Sequence, residues 1–499
     1  MTDQRANAWR CLVCGYVHSG TEPPAECPIC GAARSEFEAH VEQPVPASAS
    51  AARQWRCLIC MYIHEGDAPP EKCPICGAAA NRFEAVTPPA GATITKGVSR
   101  IIVLGAGIAG IAAVEAIRKA SPDTRITLVS KEADLPYYRL NLTRYLAGEI
   151  TDAHMPIHPA NWYDANGIEL LCGAEAAEIA PIDKTVVLRS GKQIFFDRLI
   201  LTAGAHPFVP PMAGSQREGV RTVRSWQDAR WILEHLKPGV NCVCIGGGVL
   251  GVETAGALAR RGANVTVLEG FGWLMPRQLN QAAGKRLAAH IESLGIRLVT
   301  SAKVKEIVGD ERVGGVLLED GTTLPADMVV ITTGVRSNSF LARRAGLQVG
   351  SGVIVDDRLC TSHPDILAAG DIAEHRGTVY GLWSPAQYMG SIAGRNAIGQ
   401  ATAFAGIPRS NTLKVLGIDL FSIGRFEPDD GSYQVIEHDA DGEYLRFVFR
   451  DNRLVGAILL GNTSIAASVS KVLADQASMS ALLARSPDAK QVFAELAAS

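Results

Sequence analysis

The 499-residue sequence lacks long apolar runs and lacks an excess of charge of one sign. A membrane-spanning helix needs about 20 consecutive apolar residues, and no such run is present. Lys and Arg number 48 against 51 Asp and Glu, so no basic surface for nucleic acid is indicated. The opening MTDQRANAWRCLVC has no apolar signal-peptide segment. We therefore expect a cytoplasmic protein with no membrane span and no nucleic-acid partner.

Cysteine is scarce beyond residue 76. Only Cys172, Cys242, Cys244 and Cys360 lie there, outside any C-x-x-C pair, and we interpret all four as small core residues. The other eight cysteines form four C-x-x-C pairs: Cys11, Cys14, Cys27, Cys30, Cys57, Cys60, Cys73 and Cys76. Because a cytoplasmic chain keeps its thiols reduced, these pairs favour metal binding over a disulfide framework.

The eight paired cysteines belong to a tandem repeat. Residues 9–38 (WRCLVCGYVHSGTEPPAECPICGAARSEFE) recur at 55–84 with a period of 46 residues. Each copy supplies four thiolates, the ligand set of a tetrahedral iron or zinc ion, and the spacing does not decide between the two metals. Pro-, Ala- and Ser-rich segments after each copy indicate flexible tethers.

The residue after each C-x-x-C pair must accept a positive φ so that backbone N–H groups can face the sulfurs. Gly15, Gly31 and Gly77 meet this need, whereas Met61 occupies the equivalent place in the second copy. A side chain there costs about 1 kcal/mol or more of backbone strain. We therefore expect the second metal site to be distorted or weaker.

The motif C-x-x-C-G-Y-x-H followed by P-P-x-x-C-P-I-C-G resembles the rubredoxin family, especially the short module at the end of rubrerythrins. The resemblance implies one iron on four cysteines that passes single electrons. It also implies aromatic packing beside each site, by Trp9, Tyr16 and Phe37 and by Trp55, Tyr62 and Phe83. A zinc ribbon, which is structural and redox-inert, remains the alternative.

From Arg100 onward, β-branched apolar runs alternate with helical stretches, a pattern typical of parallel sheets with crossover helices. Two glycine-rich turns each follow such a strand and open a helix: Gly105, Gly107 and Gly110, and Gly246, Gly248 and Gly251. This arrangement allows a tight turn, a close approach of pyrophosphate and a helix N-terminus aimed at the phosphates. Two such turns in context predict two dinucleotide sites.

An acidic residue that could bind a ribose follows each glycine-rich turn. Glu269 lies 23 residues after Gly246 and is expected to bind a ribose 2′-hydroxyl, which favours NADH over NADPH. In the first unit the equivalent is Glu132, 27 residues after Gly105, although Ser130 is a competing candidate.

The order of motifs, with LTAG at 201–204, TTG at 332–334 and PDILAAGDIAE at 364–374, resembles the two-dinucleotide-binding flavoprotein reductases. The resemblance implies FAD in the first unit and NAD(P)H in the second. It places Gly204, Gly334 and Gly370 beside the cofactors and implies that Asp371 holds the flavin ribityl chain.

The segment PYYRLNLTRYLAGEI resembles the branch of rubredoxin, putidaredoxin and nitrite reductases, which implies that Arg139 lies near the flavin pyrophosphate. Here Thr143 and Arg144 replace the usual Ser and Lys. The resemblance implies an ion pair between Arg144 and Glu253 beside the flavin, the alternative being that Arg144 only covers the surface.

Ser384 and Pro385 predict the start of a helix, with Ser384 as N-cap and Pro385 at the first helical position. The resemblance implies that this helix points at the flavin, where its positive end would stabilise the negative charge of the reduced ring. Trp383 is then placed close to the flavin ring, the alternative being that it packs only in the core.

The fold class we predict is α/β, with two Rossmann-like domains (FAD and NAD), a small α+β C-terminal domain and two small metal-bound rubredoxin-like modules in front. The predicted segments are rubredoxin-like modules at 1–43 and 54–86, an FAD-binding domain at 98–215 and 325–404, an NAD-binding domain at 216–324 and the C-terminal domain at 405–499. By resemblance, the last is a candidate homodimer surface.

The body lacks every cysteine motif of the disulfide reductases in this superfamily. The electrons are therefore expected to pass from NADH through FAD to the iron of the cysteine modules, and on to a downstream redox protein. Candidates for that partner are a rubrerythrin-like peroxidase, a diiron reductase, a hydroxylase or a nitrate or nitrite reductase. The alternative is an FAD/NADH reductase component of a nitrite/nitrate or oxygenase system, with zinc-bound modules as docking elements.

Overall fold

The computed structural model describes residues 8–11, 17–19, 21–25, 33–34, 37–39, 54–57, 63–65, 68–71, 80, 83–86, 98–407, 410–413, 417–440 and 442–498. None of the helices in these ranges is long and apolar enough to cross a membrane.

The described strands of the two N-terminal modules are arranged alike. Their strands are Ala8–Cys11 (β1), Val17–Ser19 (β2), Phe37–Ala39 (β3), Gln54–Cys57 (β4), Ile63–Glu65 (β5) and Phe83–Val86 (β6). They form two three-stranded antiparallel sheets, ordered β2-β1-β3 and β5-β4-β6. The amide of Arg34 donates to the Ala25 carbonyl at 3.0 Å, and Ala80 donates to Glu71 at the same distance. The sequence repeat is therefore also a structural repeat.

The first α/β unit begins with a buried parallel strand and adds helices on its faces. Its strands are Arg100–Leu104 (β7), Arg125–Val129 (β8), Ile168–Leu171 (β9), Ala176–Ala180 (β10), Thr185–Leu188 (β11), Gln193–Phe195 (β12), Arg198–Leu201 (β13) and Ala205–Pro207 (β14). Its helices are Ile108–Ala120 (α1), Leu142–Ala147 (α2) and Ala160–Ala165 (α3), with short 3₁₀ turns at Arg139–Asn141 and Asp152–His154.

The second α/β unit repeats this plan. Its strands are Val220–Thr222 (β15), Asn241–Ile245 (β16), Asn264–Leu268 (β17), Arg297–Val299 (β18), Val304–Gly309 (β19), Val313–Leu318 (β20), Thr323–Pro325 (β21) and Met328–Ile331 (β22). Its helices are Trp226–His235 (α4), Val249–Arg260 (α5) and Gln281–Ser293 (α6).

The chain then returns to the first unit before it forms the tail. The returning elements are Val335–Ser337 (β23), Phe340–Arg344 (α7), Val353–Val355 (β24), Ile366–Ala368 (β25), Ala373–His375 (β26) and Trp383–Ala397 (α8). The tail contains Ser410–Leu413 (β27), Leu420–Gly424 (β28), Tyr433–Ala440 (β29), Glu443–Arg450 (β30), Arg453–Leu460 (β31), Ala466–Asp475 (α9), Ser480–Leu483 (α10) and Ala489–Ala497 (α11).

Two parallel five-stranded sheets carry the α/β units, ordered β25-β13-β7-β8-β9 and β15-β22-β16-β17-β18. Strands buried on both faces read as continuous apolar runs, which is why β7 (RIIVL) is buried at all but its first residue. Each unit also has a three-stranded antiparallel meander, β10-β11-β12 or β19-β20-β21. The predicted α/β class with two similar units is confirmed.

The tail is a five-stranded antiparallel sheet, ordered β27-β28-β31-β30-β29, with its helices packed on one face. Its other face contributes Tyr444 and Leu460 to the core of the second α/β unit. The Asn280 side-chain amide donates to the Tyr444 hydroxyl at 2.5 Å across this contact. The tail is thus α+β, as predicted, and packs against the second unit.

Two local predictions differ from the structure. Helix α8 begins at Trp383 with Leu382 as its N-cap, so Ser384 is not the cap. Pro385 is tolerated there because the first helical N–H groups lack intrahelical acceptors in any case. Cys242 and Cys244 are buried core residues as predicted, whereas Cys172 is exposed and Cys360 only half-buried. Cys172 lies just beyond the end of β9, where the chain leaves the sheet for the surface.

Candidate dinucleotide and redox site

The first glycine-rich turn closes tightly against the neighbouring strand end. Gly105 has a φ of +118°, and a β-carbon on it would overlap the Thr202 carbonyl. A β-carbon on Gly110 would overlap the Gly105 carbonyl in the same way. The Thr202 hydroxyl donates to that Gly105 carbonyl at 2.7 Å and fixes the turn.

The second turn repeats these contacts. Gly246 has a φ of +114°, its β-carbon would lie 2.8 Å from the Thr332 carbonyl oxygen, and a β-carbon on Gly251 would overlap the Gly246 carbonyl. The Thr332 hydroxyl donates to the Gly246 carbonyl at 3.0 Å. We did not single out Thr202 and Thr332 from the sequence, although both belong to the LTAG and TTG motifs.

The middle glycines of the turns face open space instead. Gly107 and Gly248 are the N-caps of α1 and α5, and no atom of the described residues lies within 4 Å of a β-carbon built on either. A side chain at these positions would project into the approach to a helix N-terminus, where backbone N–H groups attract phosphate. The two turns therefore have the form that a dinucleotide pyrophosphate requires.

Helix α8 lies directly on α1, and its N-terminus comes close to the first turn. β-Carbons on Gly390 or Gly394 would collide with the backbone of α1 at Ala109 or Ala113. Gly370 has a φ of +79°, and a β-carbon on it would lie 2.9 Å from that of Ala109. Gly390 and Gly394 form a G-x-x-x-G motif, which indicates such close helix packing. Our sequence analysis did not use this motif.

Glu132, three residues beyond the end of β8, is held in an ion-pair network. Its Oε1 accepts from Arg139 Nη2 at 2.7 Å, and its Oε2 accepts from the Tyr137 hydroxyl at 2.7 Å. Burial raises the pKa of Tyr137. Ser130, the competing candidate, is buried and donates its hydroxyl to the Glu132 carbonyl at 3.1 Å. The structure thus brings Glu132 and Arg139 together.

Asp371 lies opposite a second arginine. Arg224 Nη2 is 3.7 Å from the Asp371 carboxylate, and the Arg224 carbonyl accepts a hydrogen bond from Arg139. Burial raises the pKa of Asp371, against the opposing charges of Arg224 and Arg139. A β-carbon on Gly204 would lie 3.4 Å from Arg224 Nη2. Four residues of the candidate site, Gly204, Asp371, Arg139 and Arg224, thus come together.

Sequence reasoning missed Arg224. A signal for its position exists, because Ser225 and Asp228 form a capping box at the start of α4. This cap fixes the residue before it at the entrance of a helix. The capping box does not show that Arg224 meets Asp371, because Asp371 is 147 residues farther along the chain.

The expected Arg144–Glu253 ion pair is wrong. The Glu253 carboxylate accepts a hydrogen bond of 2.9 Å from the Thr143 hydroxyl, whereas Arg144 Nε donates to Glu149 at 3.0 Å. Thr143 and Arg144 are adjacent on α2, so their side chains point about 100° apart and Thr143 is the one that faces α5. No cation among the described residues pairs with Glu253, and burial raises its pKa to about 7.

Glu269, the acidic residue of the second unit, is bound by backbone N–H groups, whereas Glu132 is bound by an arginine. Glu269 is buried, and each of its carboxylate oxygens accepts a backbone N–H at 2.8 Å, from Gly247 and from Phe271. These bonds orient the carboxylate beside the glycine-rich turn and leave lone pairs for a further donor. Gly334, after β22, has a φ of +115°, and none of the described atoms lies within 4 Å of its β-carbon position.

Trp383 is half-buried against the core of the first unit. Its ring centroid lies 5.8 Å from that of Tyr138, which precedes Arg139. The indole Nε1 is buried and has no hydrogen-bond partner in the described part of the chain. Trp383 thus packs on Tyr138 and the core of the first unit, and its place beside the flavin ring stays a prediction.

The predicted metal ligands lie outside the described side chains. The backbones of Cys11 and Cys57 end β1 and β4, and Cys14, Cys27, Cys30, Cys60, Cys73 and Cys76 lie outside the described residues, as does Met61. In the body, burial raises the pKa of Cys242 to about 12, so its thiol stays protonated at neutral pH.

Three family descriptions match the chain. Residues 99–390 match pyridine nucleotide-disulphide oxidoreductase, residues 410–477 match the rubredoxin NAD+ reductase C-terminal domain, and residues 9–38 and 55–84 match the rubredoxin-like domain of rubrerythrin. The resemblances expected from the motifs are thus confirmed.

Individual relatives include a nitrite reductase [NAD(P)H] from Bacillus subtilis, 34% identical over 74% of this chain and 46% of the relative. The rubredoxin-NAD(+) reductase of Ectopseudomonas oleovorans is 34% identical over 56% of this chain and 74% of the relative. The crystal structure of NADH:rubredoxin oxidoreductase from Clostridium acetobutylicum is 28% identical with a TM-score of 0.66, and the match covers 77% of this chain and 99% of that one. The chain spans about half the length of the first relatives it matches.

Proposed function

Because the chain belongs to the pyridine nucleotide-disulphide oxidoreductase family, we propose that it is an NADH-dependent flavoprotein reductase that passes electrons through FAD to its own two rubredoxin-like modules. One observation carries the proposal. Two dinucleotide turns with matching contacts occur in a body without a cysteine pair for a redox disulfide, and the same chain carries two four-cysteine modules. The two modules would therefore accept the electrons that the flavin cannot pass to a disulfide of the body.

The first unit would hold FAD. Gly107 and the N-terminus of α1 would receive the pyrophosphate, and Glu132 would bind the adenosine ribose. Arg139 and Asp371 would hold the pyrophosphate and the ribityl chain, with Arg224 beside them. The N-terminus of α8, held on α1 by Gly390, would face the flavin ring with its positive end.

The second unit would hold NADH. Gly248 and the N-terminus of α5 face open space for a pyrophosphate, and Glu269 is oriented for a ribose hydroxyl. A buried carboxylate repels a 2′-phosphate, so we propose NADH rather than NADPH as the substrate. Bound flavin supplies the chemistry, because it takes two electrons as hydride and returns them singly. No acid or base of the protein is required for that step.

Each module would hold one iron on its four cysteines, with zinc as the alternative metal. The tethers keep the modules at an effective concentration in the millimolar range, which favours transfer within the chain over transfer to a dilute partner. A separate redox protein would then take the electrons. We propose a cytoplasmic location, where the cysteine thiols stay reduced and free to bind metal.

Spectroscopy of the freshly isolated full chain tests the proposal. Two irons per chain and a visible absorption that bleaches on anaerobic addition of NADH are expected. Stoichiometric zinc, with only flavin absorption, would overturn electron transfer through the modules and leave them as docking elements for a nitrite, nitrate or oxygenase system.

A variant with Cys11→Ser and Cys57→Ser tests whether electrons pass from the flavin through the modules. It should lose electron transfer to an external rubredoxin-type acceptor and keep NADH-dependent reduction of ferricyanide, which needs only the flavin. Cys172→Ser changes an exposed body cysteine and is the matched control, expected to keep both activities. If the double variant also keeps both, the modules are not on the route.

A further inference from the structure

A large aromatic side chain is exposed beside the acid of the second unit. Phe271 is 60% exposed and lies two residues after Glu269, at the carboxyl end of β17. Single exposed apolar residues are common on protein surfaces, so exposure alone means little. The backbone around Phe271, however, is fixed on both sides.

The Phe271 amide donates to Glu269 Oε1 at 2.8 Å, and the Phe271 carbonyl accepts from the Ser301 amide at 2.8 Å. The ring is thus carried on a hydrogen-bonded backbone and not on a loose loop. Its neighbours are Gly270 and Gly272, and in the part of the chain that the structure describes no atom lies within 4 Å of a β-carbon built on Gly272. The two glycines leave the faces of the ring free of neighbouring side chains along the chain.

The first unit has no such ring at the corresponding place. The residue there is Glu132, whose carbonyl accepts from the Gly173 amide at 2.9 Å, as the Phe271 carbonyl accepts from Ser301 in the second unit. The exposed phenylalanine is therefore a particular feature of the second unit, not a requirement of the fold. The Glu269 carboxylate, which would bind a ribose, also holds the Phe271 backbone. The base attached to that ribose would therefore lie close to the Phe271 ring.

We propose that Phe271 stacks on the adenine of the nicotinamide dinucleotide and so sets its affinity. The inference rests on the proposed use of NADH and deepens it. Stacking of a base on an aromatic side chain contributes about 1–3 kcal/mol by alanine substitution. Because Glu269 fixes the Phe271 amide, the same carboxylate would place both the ribose and the stacking ring.

Calorimetric titration of the holoprotein tests this assignment. Phe271→Ala should raise the Kd for ADP-ribose, which carries the adenine, about tenfold. The Kd for nicotinamide mononucleotide, which has no adenine, should not change. Phe271→Tyr should bind both ligands like the wild type, and Phe340→Ala, which removes another exposed ring, should do the same.

Steady-state kinetics give a second readout. With Phe271→Ala, the KM for NADH should rise about tenfold while the KM for reduced nicotinamide mononucleotide stays constant. An unchanged Kd for ADP-ribose, or equal losses for both ligands, would overturn the stacking role. If the wild type itself neither binds ADP-ribose nor oxidises NADH, the proposed function fails, which is a distinguishable result.

Discussion

The Thr143 hydroxyl donates a hydrogen bond of 2.9 Å to the carboxylate of Glu253, and this bond joins the two α/β units. Thr143 lies on α2 of the first unit and Glu253 on α5 of the second, and the two helices pack together. A neutral hydroxyl does not compensate the burial of a carboxylate, so the pKa of Glu253 rises to about 7. The contact between the units therefore contains a group that titrates near neutral pH.

Glu253→Gln should change the pH dependence of stability. The ordinary pKa of 4.5 lies below the folded value of about 7, so the folded state binds a proton that the unfolded state releases in this window. The stability contributed by Glu253 is then fully present below about pH 4.5 and lost as the pH rises through about 7. The variant does not titrate, so it should gain up to about 3 kcal/mol over the wild type between pH 5 and pH 8.

Thermal unfolding midpoints of the holoprotein at pH 5 and pH 8 measure this gain. Glu292→Gln, on the exposed face of α6, is the control and should show the same difference from wild type at both pH values. A difference between Glu253→Gln and wild type that does not depend on pH would contradict the raised pKa.

Glu269→Ala should weaken the preference for NADH over NADPH. The buried carboxylate accepts two backbone N–H groups and is the group that would repel a 2′-phosphate. A hydrogen bond to a charged group contributes about 1.5–3 kcal/mol, so the ratio of kcat/KM for the two nucleotides should fall at least about tenfold. Glu311→Ala, at an exposed turn, should leave the ratio unchanged. An unaltered ratio in Glu269→Ala would exclude this role.

The sequence was sufficient for features that depend on local pattern. Alternating apolar runs and helical stretches predicted two parallel sheets, and both glycine-rich turns open the helices that were expected from them. Glu269 could be located because it directly follows the strand after its turn, whereas Ser130 holds that place in the first unit and Glu132 lies two residues farther on. In these cases the spacing along the chain determines the position in space.

The missed features depend on contacts between distant segments. The pattern T-R at 143–144 does not show which side chain faces α5, and the structure turns Thr143 toward Glu253 while Arg144 contacts Glu149. Arg224 and Asp371 meet only because the chain returns to the first unit after the second is complete. Cys172 is exposed although its residue type favours burial, since it lies where β9 ends.

Met61→Gly should strengthen metal binding by the second module. A glycine accepts a positive φ beside the cysteine pair without the strain of about 1 kcal/mol or more that a side chain adds. The release of metal from the second site to a chelator should therefore slow several-fold. Gly15→Met makes the reverse change in the first module and should accelerate release there. If neither substitution changes the rate of metal release, backbone strain at Met61 does not weaken the second site.

Gly390→Ala should separate α8 from α1 and weaken flavin binding. A β-carbon at this position would collide with the Ala109 carbonyl, which is backbone and can move only if the helices shift. Overpacking of this kind costs about 1–3 kcal/mol. Because α8 and α1 both direct their N-termini at the candidate FAD site, the shift should lower both the unfolding temperature and the flavin content of the purified protein. Gly431→Ala has open space around its β-carbon and is the matched control. Full flavin content and an unchanged unfolding temperature in Gly390→Ala would show that the close contact between the helices does not position the site.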